Sequence, residues 1–202
     1  MNDASPIDRT ECAELVEASL LAVLHVGCGA PNPAKLPANV FPAGLWREVR
    51  LDIDPEVMPD IEASITDMPM VPTDSIDAVW SAHNLEHLFP HEVPLALAEF
   101  FRVLKPGGFA LVTMPDLQQV AELVAAGVLE GPAYMSALGP IAPLDMLYGF
   151  RPALAEGNVF MGHKTGFIAT TLSAHFETAG FTAIDVQRDG QFALWGKGVK
   201  PV

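Results

Sequence analysis

Apolar and polar positions along this chain fall into two kinds of block. Short apolar runs read as buried strands at residues 21–26 (LAVLHV), 48–53 (EVRLDI), 61–65, 75–82 (SIDAVWSA) and 109–114 (FALVTM). Longer stretches with apolar residues three and four apart read as helices. One is expected over residues 10–19, capped by Thr10, with Leu15, Val16 and Leu20 on one side, after a loose tail at 1–9. A second is expected between Leu85 and Leu104, where Val93, Leu97, Phe100, Phe101 and Leu104 share a face. Lys105-Pro106-Gly107-Gly108 ends it with a cation, a proline and glycines. Asp116 caps a third helix that closes at Gly127, and Thr165 a fourth that closes at Gly180. Residues 182–188 and 191–197 flank Asp189-Gly190, a strong hairpin turn signal.

Apolar strands alternating with helices predict an α/β fold. We expect a doubly wound, mostly parallel seven-stranded sheet with a C-terminal antiparallel hairpin, in a single domain over residues 1–202. Glycines and prolines crowd residues 117–166, which reads as an insertion or lid of short helices and loops after the fifth strand. Ligands of such sheets bind beyond the carboxyl ends of the strands, so chemistry is expected at 27–30, 52–54, 64–67, 81–87 and 114–116.

Composition narrows the partners. Asp plus Glu number 25 and Lys plus Arg 11, a net charge of −14, which argues against nucleic acid and anionic membrane surfaces. Two cysteines, Cys12 and Cys28, make neither a disulfide framework nor a four-cysteine zinc site. The opening MNDASPIDRTECAEL has charges of both signs and no apolar core, unlike a signal peptide. A cytoplasmic protein is expected. A homo-oligomer is permitted by the apolar lid and the hairpin edge but demanded by nothing.

Gly27-Cys28-Gly29 directly follows the first strand, where glycines let backbone approach a ligand. Asp52 ends the second strand, where a carboxylate can accept both hydroxyls of a ribose. The pair points to a nucleoside-type cofactor without choosing between a nicotinamide dinucleotide and S-adenosylmethionine. LHVGCG (24–29), LDIDP (51–55), TDMPMVPTDSIDAVWSAHNLEHL (66–88) and FFRVLKPGGFALVTMPD (100–116) choose. In this order and spacing they resemble the class I S-adenosylmethionine-dependent methyltransferases, in their broad small-molecule-type branch, over roughly residues 20–116.

The resemblance implies roles. Gly27, Cys28 and Gly29 line the methionine end of S-adenosylmethionine, Asp52 holds the ribose and Ile53 packs on the adenine. Ser64 and Ile65 stand where the adenine edge is read; Ser81, Ala82 and His83 lie near the transferred methyl. Three positions depart from the family pattern. His25 replaces an acid two residues before the first glycine, Pro31 replaces the third glycine, and Ser64 replaces the acid that meets the adenine amino group. Pro33, Pro37 and Pro42 then forbid a long helix after the glycine turn.

His83-Asn84-Leu85-Glu86-His87 also matches H-x-x-E-H, a zinc-hydrolase motif if His83 and His87 share a helix face. Because related methyltransferases carry a Leu-Glu-His run here and Pro90 interrupts the helix, no metal is expected. Glu86 and His87 read as local structural polar groups.

The insertion is the expected home of substrate choice. His163 and His83 are the candidate catalytic groups, with Tyr148, Arg151 and Lys164 as substrate contacts. Function is therefore expected to be methyl transfer from S-adenosylmethionine to a small-molecule or saccharide-linked acceptor. The alternative is a non-catalytic or weakly cofactor-binding protein of the same fold, acting as a partner or regulatory module.

Overall fold

A computed structural model describes residues 20–136 and 139–202, so the helix expected at 10–19 and Cys12 lie outside the described residues. Five strands run parallel: β1 (Leu21–Val26), β2 (Trp46–Asp52), β3 (Ile61–Glu62), β4 (Ile76–Ala82) and β5 (Leu104–Pro115). A separate two-stranded hairpin, β6 (Tyr134–Ser136) with β7 (Gly139–Ile141), lies in the insertion. The antiparallel pair β8 (Thr182–Arg188) and β9 (Ala193–Val199) completes a seven-stranded sheet of order β3-β2-β1-β4-β5-β9-β8. The expected fold class is confirmed, and the order reverses at β1 and β4, which opens a crevice at their carboxyl ends.

Alternation along the strands divides two cores. Leu24 and Val26 of β1, Val79 of β4, and Ala110, Val112 and Met114 of β5 face one side. There they pack with α1 (Val93–Val103) and with α5 (Ala169–Thr178) beyond three helices of the insertion, α2 (Leu117–Ala125), α3 (Pro143–Tyr148) and α4 (Arg151–Ala155). In α1 the buried residues Val93, Ala96, Leu97, Phe100 and Val103 keep the helical stripe that hydrophobic burial needs. On α5 Leu172 and Phe176 press so closely on β9 that a Cβ at Gly196 would stand 2.8 Å from Leu172.

Val23, Ala78, Trp80 and Leu111 face the other side. The proline-rich segment after β1 holds only a 3-10 turn, Pro33–Lys35, as the prolines predict, and this segment covers that face with Phe41. Phe41, Trp46 and Phe109 meet in edge and stacked pairs, and Trp80 stacks on Trp195.

Several boundaries differ from the pattern. Residues 85–87 form a 3-10 turn rather than the start of a helix, and α1 begins only at Val93, beyond Pro90. Lys105–Gly108 is not a loop. β5 starts at Leu104, breaks register with β4 between Ile76 and Ala78, and accepts Lys200 on its glycines through Gly107 N to Lys200 O and Lys200 N to Gly108 O. The third strand shortens to two residues, and β9 starts two residues later than expected because Asp189 closes a wider turn onto Gln191 and Ala193. Helix α5 starts at Ala169, where the Thr171 hydroxyl accepts from Ile168 N, so Thr165 is not its cap.

Candidate active site

The carboxyl ends of β1, β2 and β4 make the floor of a cleft of about 350 Å³. Gly27 (φ +60°) and Gly29 (φ +56°) turn the chain through left-handed backbone directly after β1, a conformation that glycine adopts without strain. Asp52 fastens that turn: Oδ2 accepts from Gly29 N at 2.8 Å, while Oδ1 accepts from Asp54 N at 3.0 Å. Two cations finish the work. Arg50 donates to Gly29 O at 2.6 Å and to Met58 O at 2.7 Å, tying the glycine turn to the turn after β2. Lys35 donates to Cys28 O at 2.7 Å and Ala30 O at 3.0 Å, and Trp80 Nε1 holds Lys35 O in turn.

Those two cations were missed by sequence reasoning, although Arg50 and Asp52 are two apart on a strand and must share a face. With no acid at position 25, the turn is ordered by Asp52, Arg50 and Lys35. His25 is buried and bonded through Nδ1 to Glu48 at 2.6 Å. Burial holds its imidazole below the ordinary histidine range, against the pull of that carboxylate.

Other expected residues separate. Ile53, Ser64, Ile65 and His83 line the cleft, Ile53 with 53% of its surface exposed. Ser64 Oγ pairs with Thr66 Oγ1 at 2.8 Å. Cys28 lines neither cavity: its N–H goes to Leu51 O, its carbonyl accepts from Lys35, and its buried thiol is pushed above the usual cysteine range by that burial. Ser81 is buried inside β4 and Ala82 packs toward the aromatic face, so neither lines a cavity. Asn84, unforeseen, lies against Gly27, its Nδ2 buried and unpartnered among the described residues.

A second cavity, about 340 Å³, opens beneath the insertion between Pro115, Tyr134, Ile141, Met146, Phe150 and His163. It shares His83, His87 and Met161 with the first. Two expected substrate contacts lie away from it. Tyr148 is 64% exposed and lines neither cavity. Arg151 is spent on Asp145, donating Nε to Oδ1 at 2.7 Å and Nη2 to Oδ2 at 3.2 Å. Lys164 lines the first cavity instead, over the ring of Phe89.

Between the cavities four polar groups gather. Glu86 is buried, and His83 Nδ1 reaches its Oε1 at 3.2 Å. Despite burial, which favours the neutral acid, the hydrogen bond from His83 and its charge hold the Glu86 carboxyl below its ordinary range. His83, its side chain 56% exposed, is held above the histidine range by Glu86. His163 falls below it, because burial outweighs the attraction of Glu86. Because 85–87 is one 3-10 turn, His83 and His87 do not share a helix face as H-x-x-E-H chemistry expects; His163, from the insertion, joins the group instead.

Residues 24–112 match the family model described as a methyltransferase domain. The chain has a class I methyltransferase fold. The match spans the glycine turn, Asp52 and the 3-10 turn, and bears out the resemblance carried by those motifs. No curated protein matches the sequence.

Among solved structures, this methyltransferase fold is similar to a SAM-dependent methyltransferase from Archaeoglobus fulgidus, at 14% identity and TM-score 0.57, over 95% of this chain and 91% of that one. It is similar to the 1,6-didemethyltoxoflavin-N1-methyltransferase of Burkholderia thailandensis, solved with 1,6-didemethyltoxoflavin and S-adenosylhomocysteine, at 15% identity and TM-score 0.54, over 94% and 74%. Human N-acetylserotonin methyltransferase in complex with SAM matches at 17% identity and TM-score 0.56, over 92% and 49%. The chain thus spans about half the length of the human structure.

Proposed function

We propose that this chain transfers a methyl group from S-adenosylmethionine to a small-molecule acceptor held beneath residues 117–166. The observation that carries the reading is the pair of cavities meeting at His83, His87 and Met161, one over the glycine turn and one under the insertion. Two reactants placed in them would face each other across that shared wall.

The residues present fit the cofactor. Each Asp52 oxygen already accepts one backbone N–H and keeps a further lone pair for a ribose hydroxyl. Ile53 and Ile65 offer apolar surface to an adenine, with Ser64 at its edge. The orphaned Asn84 Nδ2 beside Gly27 is a donor for the anionic end of a methionine moiety, which Gly27 and Gly29 would flank with backbone. When bound, the cofactor supplies a sulfonium-activated methyl.

The remainder is positioning. Bringing the acceptor into near-attack distance can supply about 7–11 kcal/mol of the barrier. Met146, Phe150 and Ile141 exclude water around an acceptor, while His163 and His83 orient its polar end. The net charge and the apolar second cavity favour a small molecule over nucleic acid.

Titration calorimetry with S-adenosylmethionine and S-adenosylhomocysteine tests this, with NAD as control. Micromolar binding that weakens at least tenfold in Asp52→Asn is expected. A folded protein that binds neither ligand overturns the reading in favour of a non-catalytic partner module.

A further inference from the structure

The geometry points to a divalent transition-metal site of the zinc class formed by Glu86, His87 and His163 at the wall between the two cavities. One ligand atom from each of these residues lies within 4.8 Å of the others.

Three features make this more than proximity. First, both histidines are set as ligands. His87 Nδ1 is 3.1 Å from Gly162 O and His163 Nδ1 is 2.9 Å from Met146 O. A carbonyl only accepts, so each Nδ1 carries the hydrogen and each Nε2 is left with a lone pair. This is the arrangement by which proteins orient metal-binding imidazoles.

Second, Glu86 is 1% exposed, yet its Oε2 has no hydrogen-bond partner among the described residues. His83 occupies only Oε1. A buried carboxylate oxygen with nothing to accept costs on the order of 1–3 kcal/mol or more, and a cation removes that cost. Third, the three ligands come from places the fold independently pins together: Lys164 N and Thr165 N both donate to Glu86 O, so the return of the insertion is stitched to the 3-10 turn beside His163.

Two imidazoles and one carboxylate are a donor set that suits zinc and its neighbours rather than magnesium or calcium. Ligand distances of about 2.0–2.2 Å require the side chains to close by roughly 1 Å. Three protein ligands leave a coordination position open, and Glu86, His87 and His163 all line the second cavity. That position would take an oxygen-bearing ligand such as a phenol, an enol or a hydroxy acid. Only this last step rests on the acceptor reading above; the metal site does not.

Titration of the metal-free protein with Co²⁺, followed by its visible absorption and reversed by Zn²⁺, tests the site without any methyl transfer. Saturation at one ion per chain is expected, with affinity reduced 10–100-fold in the isosteric Glu86→Gln and in His163→Ala, each shown folded by its melting curve. His91→Ala, on an exposed ring outside the cluster, should bind as the parent does. X-ray absorption of the zinc-loaded parent should show two imidazoles and oxygen, with no sulfur. Failure to saturate, or unchanged affinity in both ligand variants, or a first shell lacking imidazole, overturns the proposal. S-adenosylmethionine binding read in the same samples separates failure of the metal site from failure of the methyltransferase reading.

Discussion

Gly27 shows how little freedom the glycine turn has. Its φ is +60°, and a Cβ there would stand 2.6 Å from the side chain of Asn84. Gly27→Ala should therefore cost about 1–3 kcal/mol of stability, from left-handed strain and the clash together. It should also weaken S-adenosylmethionine binding more than tenfold; thermal melts and calorimetry read the two effects separately. The role of this residue is legible from sequence because a glycine after an apolar strand has few other meanings. Arg50 was not, since an arginine on a strand gives no sign of what its guanidinium will meet. Its partners, Gly29 O, Val57 O and Met58 O, are backbone carbonyls, which no residue pattern reveals. The histidines divide the same way. His83, Glu86 and His87 are neighbours in sequence, but His163 reaches them only through the path of the insertion.

At the level of elements, α5 packs closely against β9. Gly196→Ala would bring a Cβ within 2.8 Å of Leu172, 3.0 Å of Phe176 and 3.2 Å of Val112. Overpacking of this kind should cost about 1–3 kcal/mol, visible as a lower denaturant midpoint with unchanged slope. Helix α1 is fastened at its other end by charge. Arg102 donates to both oxygens of Glu99, and to Met68 O and Val71 O, while Glu99 also accepts from Met68 N. The bond from Arg102 holds the Glu99 carboxyl below its ordinary value of 4.5. The unfolded chain takes up this proton first, so the stabilisation is complete above that value and fades as pH falls through the lower folded one. Glu99→Gln should lower stability at neutral pH and give a shallower decline on acidification, measured by urea melts from pH 7 to pH 3. The strands and α1 could be read because burial imposes a period of two or 3.6. Two of their ends could not: the Leu104 carbonyl at the start of β5 accepts from the distant Lys200 side chain, and the start of β9 is set by Asp189 closing its carboxylate onto Gln191 and Ala193.

For the molecule as a whole, the insertion is hinged at one buried acid. Asp116 is fully buried and accepts from Gln118 N, Gln119 Nε2 and Arg188, at the point where the insertion leaves the sheet. Its backbone bridges to Phe167, where the insertion returns. Asp116→Ala removes three bonds to a charged group and should cost about 2–3 kcal/mol. That lowers the melting temperature by roughly 4–12 °C for a chain of this size. Hydrogen exchange should speed up across 117–166 while β1 and β4 keep their protection. The mostly parallel sheet with its C-terminal antiparallel pair was readable from the succession of strands and helices; the order of its strands was not. Within the insertion, the short helices and the Asp116 cap were readable, whereas the β6–β7 pair was not, because strands of three residues, one of them Gly-Pro-Ile, carry no period.

The place of β9 bears on how the chain is made. β5 is completed at Pro115, but the strand that pairs with its free side begins only at Ala193. At about 5–20 residues per second, translation of the 77 residues between them takes roughly 4–15 s. Until Ala193 is made, the strand that pairs with this side of Phe109–Pro115 does not yet exist, so that edge has no partner strand within the chain. Messages truncated between these strands should therefore yield products found in inclusion bodies, and slower translation of this stretch should raise the demand for chaperones.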